Sequence, residues 1–378
     1  MNYTKKISIL LLFLLVFACK TESEKAKPNI ESNSLIKYAK GFDIQYLNDH
    51  IKLEIKSPYP DSDEHLEYIL IHNKTDLSQF TNDEKIISIP LEKTVVTSTT
   101  HIPMLELLEV EQSLIGFPNT RYISSKITSK LVENGHIQEL GNDASINTEI
   151  LIDLKPDAVI AFAMSGGNKS LSTIERAKIP VIYNGDWLEE SPLGRAEWLK
   201  FFGVLYGKEQ MADSIFQSIE KQYISAKKIA TATSSKPTVL SGAMFKDVWN
   251  LPAGESFVAQ FLRDANTDYL WKDTEGKGSL QLNFENVLEK GQTTDLWLAP
   301  GYFESKEQML QASKHYEQFA AYRNDNLYTF ANKKGANGGV IYYELAPTRP
   351  DLVLKDIIKI AHPEVLKDYE MTFFEKMK

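Results

Sequence analysis

The sequence predicts an α/β protein with two Rossmann-like lobes joined by one long rigid helix, and with a small β-rich N-terminal extension. Two observations lead to this prediction. A short motif occurs twice, at residues 147–159 and again at 283–297, which indicates two similar lobes. Between the copies, residues 208–230 place apolar side chains on one helical stripe, and about 23 residues would form a rod of roughly 35 Å that could bridge the lobes.

The repeated motif is typical of a capped short helix that leads into a buried strand. Asn147 and Asn283 are favourable N-cap residues. Glu149 and Glu285 follow in the first turn, where the helix dipole favours a negative charge. An aspartate precedes the apolar run of each copy, and such a run suits a strand buried on both faces. Each lobe is therefore expected to expose one acidic residue at a matching place.

Patterning along the rest of the chain predicts its organisation. Residues 51–55 alternate with the period of a strand, and from residue 93 onwards strands alternate with helices, which implies a parallel sheet covered on both faces. The predicted segments are a lipoprotein signal peptide with its anchor cysteine (1–19), a flexible tether (20–35), the β-rich extension (36–92), the N-terminal α/β lobe (93–206), the bridging helix (207–232), the C-terminal α/β lobe (236–345) and a terminal helix (350–362).

The N-terminus has the layout of a signal peptide. Lys5 and Lys6 precede an apolar run over residues 7–17, which is shorter than the roughly 20 residues that a bilayer span needs. Residues 16–19 resemble a bacterial lipoprotein signal, in which the cysteine, here Cys19, is acylated, although Phe17 is bulkier than usual there. The alternative is a plain secretory signal in which the cysteine is incidental. Because Cys19 is the single cysteine, no disulfide can form within the chain.

Composition and missing motifs argue against several classes of function. A formal net charge of -9 disfavours nucleic acid, whose binding needs a basic face. The seven histidines are scattered, with no His-x-His or His-x-x-x-His pair, so direct capture of a divalent metal is not expected. No Gly-x-Ser-x-Gly elbow or Walker spacing occurs. We therefore expect a protein that is not an enzyme and that holds no metal or cofactor of its own.

The stretch 141–162, with its Asn-x-Glu and Lys155-Pro156-Asp157, resembles the periplasmic substrate-binding proteins of ABC importers that carry iron complexes and vitamin B12. The resemblance covers about residues 94–361 and leaves the extension without a role. It implies a membrane-anchored lipoprotein monomer on the periplasmic or cell-surface face. Such a protein captures an iron chelate (siderophore or haem) or a corrinoid between its lobes, and delivers it to permease subunits with their ATPase. The alternative is a surface lipoprotein enzyme or adhesion module on the same fold.

By motif, Glu149 and Glu285 match the glutamates with which that family docks on its permease. The alternative is that they only complement the helix dipoles.

Candidate ligand residues follow from the topology, because open α/β sheets bind ligands beyond the carboxyl ends of their strands. Aromatic side chains there suit a broad, flat ligand. The predicted ligand-binding residues are Tyr122, Phe162, Trp187, Trp249, Tyr302, Tyr343, His101 and Arg349. Of these, Tyr122, Phe162 and Trp249 resemble aromatic pocket positions of the family, and Arg349 resembles an arginine that precedes its last helix. The alternatives are core packing for the aromatic residues, a satisfied loop histidine for His101 and a structural role for Arg349.

Overall fold

The computed structural model describes residues 35–72, 80–81, 84–142 and 145–378. The predicted signal peptide, Cys19 and nearly all of the predicted tether lie outside these residues. Within the described ranges, no helix combines the length and the apolar character that a membrane span requires.

The extension is a small sheet that shares its core with the N-terminal lobe. Its strands pair in chain order, antiparallel except for the last pair, and are β1 (Phe42–Tyr46), β2 (Ile51–Ile55), β3 (Leu66–His72) and β4 (Lys85–Ile89). Strand β2 alternates between buried and half-buried residues, as its sequence period predicts. Phe42 packs on Trp198, with ring centroids 4.5 Å apart, and the Tyr68 hydroxyl accepts a hydrogen bond from the Tyr183 backbone N–H. The extension is thus built into the lobe.

Two buried glutamates fix the chain where it enters this sheet. The Glu197 carboxylate accepts hydrogen bonds from the backbone N–H groups of residues 37–39, at 2.6–3.0 Å. Glu189 accepts from those of Lys40 and Gly41 and from the indole of Trp198. Charge-assisted bonds to the backbone are the usual means of satisfying a buried carboxylate.

The N-terminal lobe has a parallel sheet with the strand order β11-β10-β5-β6-β7. A two-stranded hairpin (β8 and β9) precedes its third helix. The elements are β5 (Thr94–Val96), α1 (His101–Leu107), β6 (Leu114–Phe117), α2 (Lys126–Glu133), β7 (Gln138–Glu139), β8 (Gly141–Asn142), β9 (Ser145–Ile146), α3 (Thr148–Leu154), β10 (Ala158–Ala161), α4 (Lys169–Arg176), β11 (Val181–Tyr183), α5 (Pro192–Glu197) and α6 (Leu199–Leu205).

One long helix joins the lobes. Helix α7 (Glu209–Thr231) packs against α6 on one side and against the terminal helix of the C-terminal lobe on the other. Its buried stripe includes Phe216, Ile219 and Tyr223, spaced at three and four residues as an amphipathic helix requires. The Tyr223 hydroxyl donates to the buried carboxylate of Asp264 at 2.8 Å.

The C-terminal lobe has two sheets. The larger, mostly parallel sheet has the order β15-β12-β17-β18-β19, and β13, β14 and β16 form a smaller antiparallel sheet. The elements are β12 (Thr238–Ser241), β13 (Ala243–Phe245), β14 (Val248–Pro252), α8 (Phe257–Asp264), β15 (Asp268–Tyr269), β16 (Ser279–Leu282), α9 (Phe284–Gly291), β17 (Leu296–Leu298), α10 (Lys306–Ala312), α11 (Ala320–Arg323), β18 (Leu327–Thr329), α12 (Ile341–Leu345), α13 (Pro350–Ala361) and β19 (Glu375–Lys376).

The two copies of the repeated motif have matching structures. The side chains of Asn147 and Asn283 each accept a hydrogen bond from the backbone N–H three residues later, which caps α3 and α9. The following aspartates bind the start of the neighbouring parallel strand. Asp157 accepts from the backbone of residues 92 and 93 before β5, and Asp295 accepts from the N–H and hydroxyl of Thr238 in β12. Each motif therefore joins a helix, a strand and the first strand of its lobe.

Candidate ligand-binding cleft

A cleft of about 490 Å³ opens between the lobes at the carboxyl ends of β5, β6, β10 and β17. This is the place where open α/β sheets bind ligands. Both lobes line it, with the residues Thr97, Ser98, Thr99, Phe117, Pro118, Asn119, Tyr122, Phe162, Tyr302, Gly338, Val340 and Tyr343.

Four of the predicted ligand residues meet in this cleft, two from each lobe. Tyr122 and Phe162 belong to the N-terminal lobe, and Tyr302 and Tyr343 to the C-terminal lobe. The rings of Tyr302 and Tyr343 lie 6.0 Å apart, and Tyr302 is 76% exposed, so its ring is free to meet a ligand. Aromatic faces on opposite walls form a surface suited to a flat or greasy molecule.

Trp187 extends this aromatic surface from behind Phe162. The two ring centroids are 5.3 Å apart, and the Trp187 side chain is half-buried. Its indole N–H is buried and has no hydrogen-bond partner among the described residues, which is unusual for a tryptophan. Trp187 therefore lies next to the cleft without being one of its lining residues.

The described lining of the cleft carries no charged side chain. Its polar groups are hydroxyls, one amide and backbone atoms, and one of these hydroxyls, on Thr97, already accepts from the Phe162 backbone N–H at 2.8 Å. No cluster of three or more histidine, cysteine, aspartate or glutamate side chains able to hold a metal occurs in the part of the chain that the structure describes. This surface can bind a molecule by stacking and hydrogen bonding.

A second, smaller cavity adjoins the cleft, and we call it the side cavity. It has a volume of about 310 Å³ and also lies between the lobes. Tyr343 lines both spaces. The other lining residues of the side cavity are Thr100, Pro192, Arg195, Phe257, Phe261, Tyr342, Ala346 and Pro347.

A direct contact closes one side of the cleft, and we call it the latch. The buried Glu344 carboxylate on α12 accepts hydrogen bonds from the backbone N–H groups of Ser124 and Ser125 in the other lobe, at 2.7 and 2.8 Å. Gly335 and Gly339 lie against the backbone of residues 122–124, so closely that a Cβ on Gly339 would come within 2.1 Å of the Tyr122 carbonyl oxygen. Burial, together with the nearby Glu106 charge, raises the pKa of Glu344 to about 7.

The structure corrects the predicted placement of Trp249. This residue lies on strand β14 of the small sheet, whereas the sequence predicted a loop at the end of a strand. Its side chain is fully buried, stacked on Trp297 at 5.3 Å, and its indole N–H donates to the Ser241 carbonyl at 3.1 Å. Trp249 therefore forms part of the core of the C-terminal lobe and presents no surface to the cleft.

His101 and Arg349 also lie outside the lining of both cavities. His101 is fully buried beside Asn184 and Phe202, and burial lowers its pKa to about 3, so the imidazole is neutral. Arg349 forms a two-pronged ion pair with the buried Asp351, at 2.9 and 2.8 Å, at the start of α13. Arg349 thus has a structural partner.

Glu149 and Glu285 occupy equivalent exposed positions. Each lies in the first turn of the helix that follows the capping asparagine, on α3 and α9 respectively. Neither carboxylate forms a hydrogen bond or an ion pair with another of the described residues, and both are exposed. Two unpaired charges therefore project from matching sites on the two lobes.

Two important residues of this region were not predicted from the sequence. Arg195 reaches the side cavity from α5, and Glu344 forms the latch next to the predicted Tyr343. No local pattern marks either, because the Phe257 ring that Arg195 contacts lies more than 60 residues away in the chain. The backbone groups that Glu344 binds lie more than 200 residues away. The sequence showed only that Arg195 is one of six arginines.

Comparison with known proteins agrees with this architecture. The sequence model of the family described as "Periplasmic binding protein" matches residues 95–333, which is more than half of the chain. The chain belongs to the periplasmic binding protein family. An uncharacterized lipoprotein of Methanocaldococcus jannaschii is 26% identical over 366 residues, covering 90% of this chain and 85% of the relative.

Solved structures of other periplasmic binding proteins share the fold. A possible iron-binding (periplasmic solute-binding) protein of Staphylococcus epidermidis matches with a TM-score of 0.56 at 16% identity, covering 72% of this chain and 100% of that one. The periplasmic haem-binding protein HutB of Vibrio cholerae matches with a TM-score of 0.54 at 16% identity, covering 70% and 99%. At these identities the likeness concerns the fold alone.

Proposed function

We propose that this periplasmic binding protein captures an iron chelate (a siderophore complex or haem) or a corrinoid in the cleft and delivers it to the permease of an ABC importer. The observation that carries the proposal is the aromatic, uncharged cleft to which both lobes contribute rings. Stacking on Tyr122, Phe162, Tyr302 and Tyr343 suits a wide, flat or greasy complex better than it suits a sugar or a bare ion. The iron-binding and haem-binding descriptions of two structural relatives support the same class of ligand.

The proposal includes a lipid anchor outside the cytoplasm. The motif ending in Cys19 supports it, and so does the lipoprotein name of the relative from Methanocaldococcus jannaschii. Mass spectrometry of the protein from its native membrane tests this part, because an acylated Cys19 would be the first residue of the mature chain. A mature chain that begins at another, unmodified residue would contradict the lipid anchor.

Ligand identity is tested by absorbance of protein purified from its native host and by quenching of tryptophan fluorescence. The panel is a catecholate and a hydroxamate iron complex, haemin and cobalamin. Trp187 is the reporter, since it lies 5.3 Å from Phe162 at the cleft, whereas Trp249 is sealed in the core. The variant Trp187→Phe should lose most of the quenching. Turnover of a panel member by the purified protein would instead favour the enzyme alternative.

Docking on the permease is proposed to use Glu149 and Glu285. Two exposed carboxylates on similar lobes suit a partner with pseudo-twofold symmetry, and such charges set orientation and association rate more than affinity. The double variant Glu149→Lys/Glu285→Lys should reduce uptake at least roughly tenfold while leaving ligand affinity unchanged.

The matched control for docking is the double variant Glu133→Lys/Glu307→Lys, which makes the same change in net charge at exposed sites on the two lobes. Uptake should be close to normal in the control. If both double variants transport equally well, the docking proposal fails, whatever ligand the cleft binds.

A further inference from the structure

Arg195 is the one charged side chain that lines either the cleft or the side cavity in the described structure. It reaches the side cavity from α5 of the N-terminal lobe. Its guanidinium carbon lies 3.7 Å from the ring centroid of Phe257, which belongs to α8 of the other lobe. The charge is therefore held between the lobes, against an aromatic face that favours a cation.

The hydrogen bonds of Arg195 are only partly satisfied. Its Nε donates to the Glu189 carbonyl at 3.2 Å, and Nη2 donates to the Trp187 carbonyl at 2.6 Å. A guanidinium carries five N–H donors in a planar fork. The remaining three have no hydrogen-bond partner among the described residues, and the half-buried side chain lines the side cavity.

No carboxylate within the described protein neutralises this charge by direct contact. Asp186 and Glu189 act on Arg195 only at longer range, and burial lowers the pKa of the guanidinium. Glu189 is held by the backbone of Lys40 and Gly41. Asp186 is fully buried against Thr100, and burial raises the pKa of its carboxyl.

We propose that the side cavity is a subsite for an anionic arm of the transported ligand, with the free edge of Arg195 binding a carboxylate. This inference rests on the proposed function, because it assigns a chemical feature to the ligand of the same site. An arginine fork matches a carboxylate in two parallel hydrogen bonds, and a low-dielectric surrounding strengthens the pair.

The shape of the side cavity restricts the rest of the arm. Its volume of about 310 Å³ is at the lower end for small-molecule pockets, and its walls are Phe257, Phe261, Tyr342 and other apolar groups. The arm is therefore an aryl or branched alkyl carboxylate, and the main body of the ligand stays in the adjoining cleft beyond Tyr343.

The test uses a pair of probes on the purified protein, without permease or membrane. The probes are 4-phenylbutyrate and its neutral isostere 4-phenylbutyramide, titrated by ligand-observed saturation-transfer NMR. Wild-type protein should bind the acid at least roughly tenfold more tightly than the amide, a ratio that equals about 1.4 kcal/mol. Equal binding of the two probes, or binding of neither, would overturn the proposal without any variant.

Three variants test whether Arg195 and the side cavity cause the preference for the acid. Arg195→Met removes the guanidinium while keeping an unbranched apolar side chain, and should abolish the preference for the acid. Ala346→Leu fills the side cavity while keeping the guanidinium, and should weaken both probes. Arg263→Met removes an exposed arginine of α8, the helix that carries Phe257, and should change the binding of neither probe. Preference for the acid that survives in Arg195→Met would place the anion elsewhere and refute the assignment.

These outcomes are separate from those of the proposed function. A failed uptake experiment with normal probe binding would contradict transport and leave the subsite intact. Normal uptake with no preference for the acid would support transport and refute the subsite.

Discussion

The latch formed by Glu344 predicts a specific dependence of stability on pH. The carboxylate is buried between the lobes, and its pKa is raised from 4.5 to about 7, first by burial and then by the charge of Glu106. Between these two pH values the folded protein binds more protons than the unfolded chain. Stability from this group is therefore fully present below about pH 4.5 and is lost as the pH rises through about 7.

The size of the effect follows from the two pKa values. The rise of the Glu344 pKa from 4.5 to about 7 corresponds to about 3 kcal/mol of folding free energy in full. Integration between pH 8 and pH 5 gives about 2.5 kcal/mol. The variant Glu344→Gln cannot titrate, so it should not gain this stability on acidification. An amide also offers one acceptor oxygen to the N–H groups of Ser124 and Ser125, which adds a cost that is nearly independent of pH.

The assay is urea unfolding of wild type and Glu344→Gln at pH 5 and pH 8. The difference in free energy of unfolding between the two proteins should be larger at pH 5, by about 2.5 kcal/mol. His101 acts in the opposite sense, because its pKa is lowered to about 3 and its contribution is lost as the pH falls below 6.5. His101 is present in both proteins, so its contribution to the pH dependence cancels when they are compared.

The control for the latch is Glu133→Gln, which changes an exposed glutamate on α2. Its pH dependence should follow that of wild type. If Glu344→Gln also follows wild type between pH 5 and pH 8, the carboxylate does not titrate in this range and the reasoning is refuted.

Two further substitutions test the close contacts that shape the protein. Gly339→Ala would place a Cβ within 2.1 Å of the Tyr122 carbonyl oxygen, so we expect a loss of roughly 1–3 kcal/mol and a more open cleft, read by unfolding and small-angle scattering. The control Gly278→Ala, whose added Cβ has no atom within 4 Å, should change neither the stability nor the opening of the cleft. Equal effects of the two substitutions would contradict the close contact at Gly339. Asp295→Ala removes the two bonds that the Asp295 side chain accepts from Thr238, and should cost about 1–2 kcal/mol in thermal or urea unfolding. An unchanged midpoint would show that these two bonds are dispensable.

Local signals in the sequence account for much of the fold. The capping asparagines, the acidic first turns and the apolar runs of the repeated motif predicted α3 with β10 and α9 with β17, because each signal acts within a few residues. The long helix was predicted over 208–230 and occupies Glu209–Thr231, since its stripe is strongly periodic.

Contacts between distant segments could not be predicted in this way. The aspartates of the motif were expected only to precede a strand, and their bonds to the neighbouring strand appear only in the folded lobe. The position of Trp249 shows the same limit. An aromatic residue near a strand end has the same pattern whether it faces a cleft or stacks on Trp297 in the core. The attachment of the extension to the N-terminal lobe could not be predicted either. Glu197 and Glu189 bind the backbone of the extension from about 150 residues further along the chain.

Three consecutive residues of α12 connect the cleft, the side cavity and the latch. Tyr342 lines the side cavity, Tyr343 lines both spaces, and Glu344 binds the backbone of the opposite lobe. Successive side chains on a helix point about 100° apart, so one short helix reaches all three places. Separation of the lobes at α12 must break the bonds of Glu344 to Ser124 and Ser125 and expose both cavities together. If a ligand occupies both spaces, as we propose, it leaves only after this buried contact is broken.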